Sequence, residues 1–497
     1  MSLKGKKFGI AGDYDVDGVM ATVIMITTLM KLGYNITSDD FKIPNRLTQH
    51  YGLDKADVDD LHSKGIEVII TVDSGISLKE VIEYAESLGM IVIVTDHHLP
   101  EEGTIPNCLI VDPAYNNDDF IGICGAYVAF KLMYELILRE SNVKNLFDIK
   151  GYDISNLVKE NAAFAAFATV ADMMPLQREN RFLIRFAYDT IDFYKSKNIW
   201  AGRLLKVISG LGGRNFLKSN ELANEELLSF QIAPSINAVS RVWGDVTSLV
   251  KDIIECDGQG KYINGYYEAN IERKDNTREL VNWHVRTSDP VSIDFLDTSE
   301  FSFPIKGLIG LMANKISSEE NKPSLVGYEG ADGFYEFSSR SVQGYSIYDA
   351  MQRIKEQHPE LNITGGGHDG AMGFKFDGSE ENLALLRKAL NEDVKNNFTK
   401  KEKIAIEIAD DTIDDLLTEL MKYVVFGNSF RKPCLYYKGN CTAIDDEEHK
   451  VTVGDFVFQY YSDNTIANIS VGNEVEVYCE PIFSVPGNIL FKIKSIK

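Results

Sequence analysis

Phe8-Gly9-Ile10-Ala11-Gly12-Asp13-Tyr14-Asp15-Val16-Asp17-Gly18 decides the fold of the first third of the chain. The apolar run Phe8 to Ala11 suits a short buried strand. It ends in a loop with aspartates at alternate positions. Gly18 to Leu32 is then apolar with helical spacing and stops at Gly33. The pattern recurs. Glu67 to Val72 reads as a buried strand, and Leu78 to Leu88 as an amphipathic helix closed by Gly89. Met90 to Val94 is a second buried strand and Cys108 to Val111 a third. Apolar strands alternating with helices predict a parallel sheet covered on both faces. Ligands of such sheets bind beyond the carboxyl ends of the strands. Three of these ends are acidic: Asp13, Asp15 and Asp17; Asp73; and Asp96 followed by His97 and His98.

Further along, Gly125 to Arg139 reads as a long helix. Ala162 to Ala171 reads as a buried helix running into Asp172-Met173-Met174-Pro175. Residues 178–218 hold nine Lys/Arg against three acids, either to hold a phosphate backbone or as a solvated helix face. Gly210-Leu211-Gly212-Gly213 breaks this stretch, and a second α/β region follows. From about residue 400 the chain turns β-rich and net acidic, with Gly454, Gly472 and Gly487 as punctuation, which suits a small β-barrel. Phe456, Phe458 and Tyr460 alternate on one strand face, for core packing or, less commonly, for base stacking. The expected division is 1–185, a connecting helical segment 186–224, 225–395 and 400–497.

The composition agrees with a multidomain globular chain. It has 497 residues, 44% hydrophobic and 25% charged, with a net charge of −23. That excludes collagen-like and wholly disordered classes and an indiscriminate nucleic-acid coat. No apolar run reaches the ~18–20 residues of a membrane helix. Asp13, Asp15 and Asp17 interrupt any signal-peptide core after the basic start, so a cytoplasmic protein without a membrane partner is expected. The six cysteines include no CxxC pair, which removes zinc-ribbon and thioredoxin-like readings and leaves free thiols.

Asp13, Asp15, Asp17, Asp73, Asp96, His97, His98 and Asp172 carry the chemistry. Asp-x-Asp-x-Asp-Gly alone also fits a calcium loop or a turn, and Asp-His-His alone a capped loop. On successive strand ends of one sheet they would repel one another without cations. Oxygen-rich ligation with one or two imidazoles suits Mn²⁺ or Mg²⁺. Two such ions roughly 3.5–4 Å apart would clamp a phosphate and make hydroxide available near neutral pH.

The motifs GDYDVDG (12–18), TVDSG (71–75), TDHH (95–98) and TVADMMPL (169–176) resemble those of the DHH phosphoesterase superfamily. Within it the chain is similar to RecJ-type single-strand-specific exonucleases. IPNRLTQHYGL (43–53) and GICGAYVAFKL (122–132) resemble the segments between motifs. APSINAVSR (233–241), SSRS (338–341) and GGGHDGAMGF (365–374) resemble the DHH-associated domain. FGNSFRKPCLYY (426–437) resembles the entrance to an OB-like barrel.

The resemblance implies a parallel-sheet DHH domain, a second α/β DHH-associated domain and a C-terminal OB-like barrel. It implies a metal-dependent 5′→3′ exonuclease that hydrolyses single-stranded DNA to 5′-mononucleotides in repair or recombination. Asp13, Asp15, Asp17, Asp73, His97 and Asp172 would bind or surround two Mn²⁺ or Mg²⁺ ions, with Asp73 bridging. His98, Asp15 and Asp73 would serve catalysis, and Asp96 would orient its neighbours. Asn237, Arg241, Arg340, Gly365, Gly366, Gly367 and His368 would face the strand. A single-strand-binding protein or helicase is an expected partner of the C-terminal domain. Ser235 stands where the family commonly has arginine, and Ser240 where glycine is usual. The chain also begins almost directly with the first strand, so a further N-terminal segment is expected to be absent. Two alternatives are a phosphodiesterase for short oligonucleotides or cyclic dinucleotides, and a silent DHH scaffold.

Overall fold

The opening run forms β1 (Phe8–Ala11), which leads into α1 (Val16–Lys31). Every residue of α1 from Val16 to Leu29 is buried, because the sheet, α4 (Gly125–Ser141) and α5 (Tyr152–Ala171) pack around it. A helix apolar all round needs such enclosure. β2 (Phe41–Lys42), β3 (Val68–Val72), β4 (Ile91–Thr95) and β5 (Leu109–Val111) complete an all-parallel sheet of order β2-β1-β3-β4-β5. Sequence patterning marks neither β2 nor α2 (Lys55–Ser63), whose start is fixed by a capping box between Asp54 and Asp57. The helix before Gly89 is α3 (Lys79–Ser87). β5 is a correction. Its apolar run predicts a buried strand, but it is the sheet edge, with Leu109 65% exposed.

The computed structural model describes residues 3–49, 51–100, 103–143, 152–200, 202–256, 263, 265–368, 370–399, 405–408, 425–460, 466–485 and 488–496. The chain forms two units. One comprises Met1–Asn237, Asp245–Tyr267 and Lys403–Lys497; the other comprises Ala238–Gly244 and Glu268–Glu402. In the first unit, α6 (Arg178–Ser196) carries much of the basic stretch. Its exposed stripe is Arg178, Phe182, Arg185, Asp189, Phe193 and Ser196. Two of the nine basic residues turn inward. Lys206 is buried, with Nζ donating to the Cys256 carbonyl at 2.9 Å, and Arg203 lies 3.8 Å from buried Glu160. The surface patch is therefore weaker than the residue count.

The same unit holds the C-terminal strands: β11 (Ile406–Glu407), β12 (Leu435–Asp445), β13 (Lys450–Val453), β14 (Phe456–Gln459), β15 (Glu474–Val485) and β16 (Asn488–Ile496). The order β12-β13-β14-β16-β15 closes through β12–β15 pairing into a five-stranded OB-like barrel, with β11 alongside β12. Phe458 and Tyr460 are buried in its core and Phe456 packs against it, which settles that aromatic stripe as core packing. Among the described residues, no helix is long and apolar enough to cross a membrane.

The second unit is built on a mixed sheet. Its strands are β6 (Ser292–Leu296), β7 (Ser324–Glu329), β8 (Phe334–Arg340), β9 (Thr364–His368) and β10 (Ala371–Asp377), in the order β6-β7-β8-β10-β9. Phe337, Phe374 and Phe376 stack on one face beneath helices 347–357 and 380–397. At the start of the sheet, half-buried His284 donates from Nδ1 to Asp294 (2.9 Å) and from Nε2 to Glu320 (3.0 Å). Ser292 also donates to Glu320 at 2.8 Å, and Arg286 and Lys322 lie within 3.5 Å of it. Both ring nitrogens can donate only in the imidazolium.

Burial alone would lower the His284 pKa. The bonds to Glu320 and Asp294 and their charges outweigh burial and raise it. Burial pushes the Asp294 carboxyl up, whereas its bonded neighbours hold Glu320 down, so Glu320 is the firmer anion. A raised folded value means that the stabilisation is complete below the unfolded histidine value of about 6.5 and is lost as pH rises through the folded value. At pH 6, His284→Gln should cost about 1–3 kcal/mol, the range for half-buried hydrogen bonds to charged groups. The gap in melting temperature between wild type and variant should narrow as pH rises through the raised folded value. A gap independent of pH would show that the imidazolium is not the stabilising form.

Candidate metal centre

The acidic strand ends converge. Asp15 is the N-cap of α1, and its Oδ1 accepts from the Asp17 and Gly18 amides at 2.8 and 3.3 Å. This places Asp13 behind it, at the end of β1, and Asp17 in the first helical turn. Asp73 follows β3 directly in a left-handed conformation (φ 56°), uncommon for a residue with a Cβ. His97 Nε2 lies 3.2 Å from Asp73 Oδ1, 3.5 Å from Asp17 Oδ2 and 3.7 Å from Asp172 Oδ2. Two ligand-sized nests result. Asp13, Asp15 and Asp73 form one; Asp17, His97 and Asp172 form the other. His98 stands beside Asp73 and His97.

Hydrogen bonding separates the acids. Asp13 Oδ1 and Asp73 Oδ1 are buried without a hydrogen-bond partner among the described residues. Such atoms are costly unless something pairs with them. Burial first, then neighbouring aspartates, push the carboxyls of Asp13, Asp73 and Asp172 well up, and Asp15 up as well. Asp96 is different. Its Oδ1 accepts from His98 Nδ1 (2.7 Å) and the His97 amide (2.8 Å), and its Oδ2 from the Ile76 amide (3.0 Å). Although buried, it is held below the usual range, and its pairing carries His98 up to about 9. Asp96 thus aims its neighbours, whereas Asp13, Asp15, Asp73 and Asp172 are carboxyls whose ionised form a bound cation would stabilise. Carboxylate-plus-imidazole nests fit Mn²⁺ or Mg²⁺.

Asp17, one of the acids beside His97, also has a structural task that the sequence does not mark. Oδ2 accepts from the Gly125 amide (2.7 Å) and Oδ1 from the Ala126 amide (2.6 Å), so it anchors the N-terminus of α4. Asn237 Oδ1 accepts from the Val16 amide at 3.3 Å, which ties it to the start of α1. In the second unit, Arg241 Nη1 donates to the Gly307 carbonyl and Arg340 Nη1 to the Ser339 carbonyl. Arg340, Ala371 and His368 form one register row across β8, β10 and β9; the His368 side chain lies outside the described residues. Gly365 and Gly367 are required by β10, because a Cβ would come within 2.3–2.4 Å of the Gly373 and Ala371 carbonyl oxygens. A Cβ on Gly366 would meet open space.

Motif reading passes over two neighbours of the site. Tyr51 Oη donates to the Asp73 carbonyl at 2.5 Å and lies 3.4 Å from His98 Nδ1. The Arg46 guanidinium sits 4.7 Å from the centre of the Tyr14 ring, and its charge pulls against the upward shifts of Asp13 and Asp15. Their only signal is the segment 43–53 between the first two motifs.

The DHH family N-terminal domain matches residues 7–158, and the DHHA1 domain matches residues 304–396. The single-stranded-DNA-specific exonuclease RecJ of Escherichia coli is 30% identical over 405 residues, covering 78% of this chain and 66% of that protein. RecJ of Bacillus subtilis is 28% identical over 414 residues, covering 82% and 48%. The chain thus spans about half to two thirds of the length of these relatives. A crystal structure of exonuclease RecJ bound to manganese aligns with a TM-score of 0.57 at 26% identity, covering 80% of this chain and 91% of that one. The fold of Thermus thermophilus RecJ in complex with Mn²⁺ aligns with a TM-score of 0.73 at 20% identity, covering 99% and 69%. With both domain matches in order and the acidic strand ends assembled around His97, this chain belongs to the DHH superfamily and is of the RecJ type.

Proposed function

We propose that the protein is a metal-dependent 5′→3′ exonuclease that hydrolyses single-stranded DNA to 5′-mononucleotides, acting in the cytoplasm in repair or recombination. The observation that carries this reading is the pair of orphaned, buried carboxylate oxygens on Asp13 and Asp73, set against His97 and Asp172. Asp13, Asp15, Asp17, Asp73, His97 and Asp172 would hold or surround two Mn²⁺ or Mg²⁺ ions, with Asp17 also fixing the start of α4. Bound divalent ions supply a hydroxide-like nucleophile at neutral pH and charge for the phosphate oxygens.

The chain's own groups do the rest. Asp96 engages His98 Nδ1, which leaves Nε2 of this half-exposed ring to give a proton to the leaving oxygen. Tyr51 holds the Asp73 backbone in place. Asn237 in the first unit, and Arg241, Arg340, the glycines of β9 and His368 in the second, are assigned to the strand. With Phe458 and Tyr460 inside the barrel core, that acidic domain is better suited to a partner such as a single-strand-binding protein or helicase.

With Mn²⁺, 5′-labelled single strands should release labelled mononucleotide from the first time point while duplex stays intact. Preference for a dinucleotide over a long strand would replace this reading with the short-oligonucleotide one. Failure to cleave any phosphodiester would favour a scaffold.

A further inference from the structure

Asp172 reaches the site from the C-terminal end of α5, where the chain makes an abrupt turn. The Asp172 amide still donates to the Ala168 carbonyl (2.9 Å) and the Met174 amide to the Thr169 carbonyl (3.1 Å). Between them Met173 is left-handed (φ 55°), at a cost of about 1–2 kcal/mol for a residue with a Cβ. Met173 is 64% exposed, so packing does not hold this left-handed residue itself, although Leu176 further along the loop is buried and Asn180 donates to the Pro175 carbonyl at 3.0 Å.

The hold comes from far along the chain. Asn428 Nδ2 donates to the Met173 carbonyl, and the Leu176 amide donates to the Asn428 carbonyl at 2.8 Å. Asn428 lies in a reverse turn closed by bonds between Gly427 and Phe430 (2.9 and 3.2 Å). That turn is pinned by the Arg181 guanidinium, 3.9 Å from the centre of the Phe430 ring. The bracket therefore grips residues 173 and 176 at once, immediately after Asp172.

We propose that Asn428 is a positioning residue for the metal centre: by bracketing the 173–176 loop, the turn at the barrel entrance holds the Asp172 carboxylate at His97. The role rests on the metal reading above. Ligand-orienting partners of this kind are typically worth about 10–100-fold in metal affinity.

The test is Mn²⁺ binding to the full chain, read by electron paramagnetic resonance, in wild type, Asn428→Ala and Asn428→Asp, each also combined with Asp172→Asn. Asn428→Asp keeps the shape and loses the donor, so it carries the test should the alanine variant unfold. Both variants should bind Mn²⁺ about 10–100-fold more weakly. That loss should vanish in the Asp172→Asn background, because the bracket acts through Asp172. A purely structural residue would lower the melting temperature and leave Mn²⁺ affinity unchanged, or weaken it equally in both backgrounds; either result overturns the proposal. Failure of the wild type to bind Mn²⁺ would overturn the metal reading itself, whereas wild-type binding with unaltered variants overturns only the role of Asn428.

Discussion

Asp73→Asn should reduce hydrolysis of single-stranded DNA by about a thousandfold or more, roughly 4 kcal/mol of transition-state stabilisation, without unfolding the protein. Asp73 links the two nests: it belongs to one with Asp13 and Asp15 and sits 3.2 Å from His97 of the other. The amide replacement keeps the shape and removes the charge that would attract the cations. The sign of the stability change makes the test sharp. Burial and the neighbouring aspartates raise the Asp73 carboxyl well above its ordinary range. A raised folded value means that the ionised group works against folding at neutral pH when no cation is present. The metal-free variant should therefore melt at or above the wild-type temperature. Added Mn²⁺ at a hundred times its dissociation constant should stabilise the wild type by about 2.7 kcal/mol and leave the variant unmoved. A melting temperature well below that of the metal-free wild type would mark Asp73 as a structural residue instead.

The contrast between Asp73 and Asp96 shows what patterning delivers and what it does not. Both are aspartates just beyond apolar strands, and alternation of strands with helices is enough to place them at one edge of one sheet. Their difference lies in hydrogen bonds that spacing does not encode: Asp96 is satisfied by the His98 ring and three amides, whereas Asp73 Oδ1 has no hydrogen-bond partner among the described residues. Asp17 illustrates the converse. Its place in the Asp-x-Asp-x-Asp motif marks it as a metal acid, and the motif does not show that its oxygens also accept from the amides opening α4, more than a hundred residues later. Tyr51, 22 residues before Asp73, and Asn428, 255 residues after Met173, are invisible to local reading because only folding brings them there. The β5 edge escapes patterning for a simpler reason: an apolar run has the same composition whether a sheet continues past it or stops.

Gly125→Ala should cut activity by about 10–100-fold and weaken Mn²⁺ binding in parallel, against the local expectation. As the first residue of α4, Gly125 occupies a helical position where alanine is normally preferred by about 1 kcal/mol. The tertiary contact outweighs that preference. A Cβ there would lie 2.7 Å from Asp73 Cβ, 2.8 Å from its Cα and 2.8 Å from Oδ1. The Cα cannot yield by changing a rotamer, because Asp73 is already held at φ 56° with its carbonyl bonded to Tyr51. The start of α4 must back away, and the Gly125 and Ala126 amides then withdraw from Asp17. One methyl group thereby disturbs acids in both nests. Helical content by circular dichroism should be unchanged, because α4 itself gains by the substitution. Wild-type Mn²⁺ affinity together with wild-type turnover in Gly125→Ala would show that the helix does not bear on Asp73, and the steric argument for this glycine would fail.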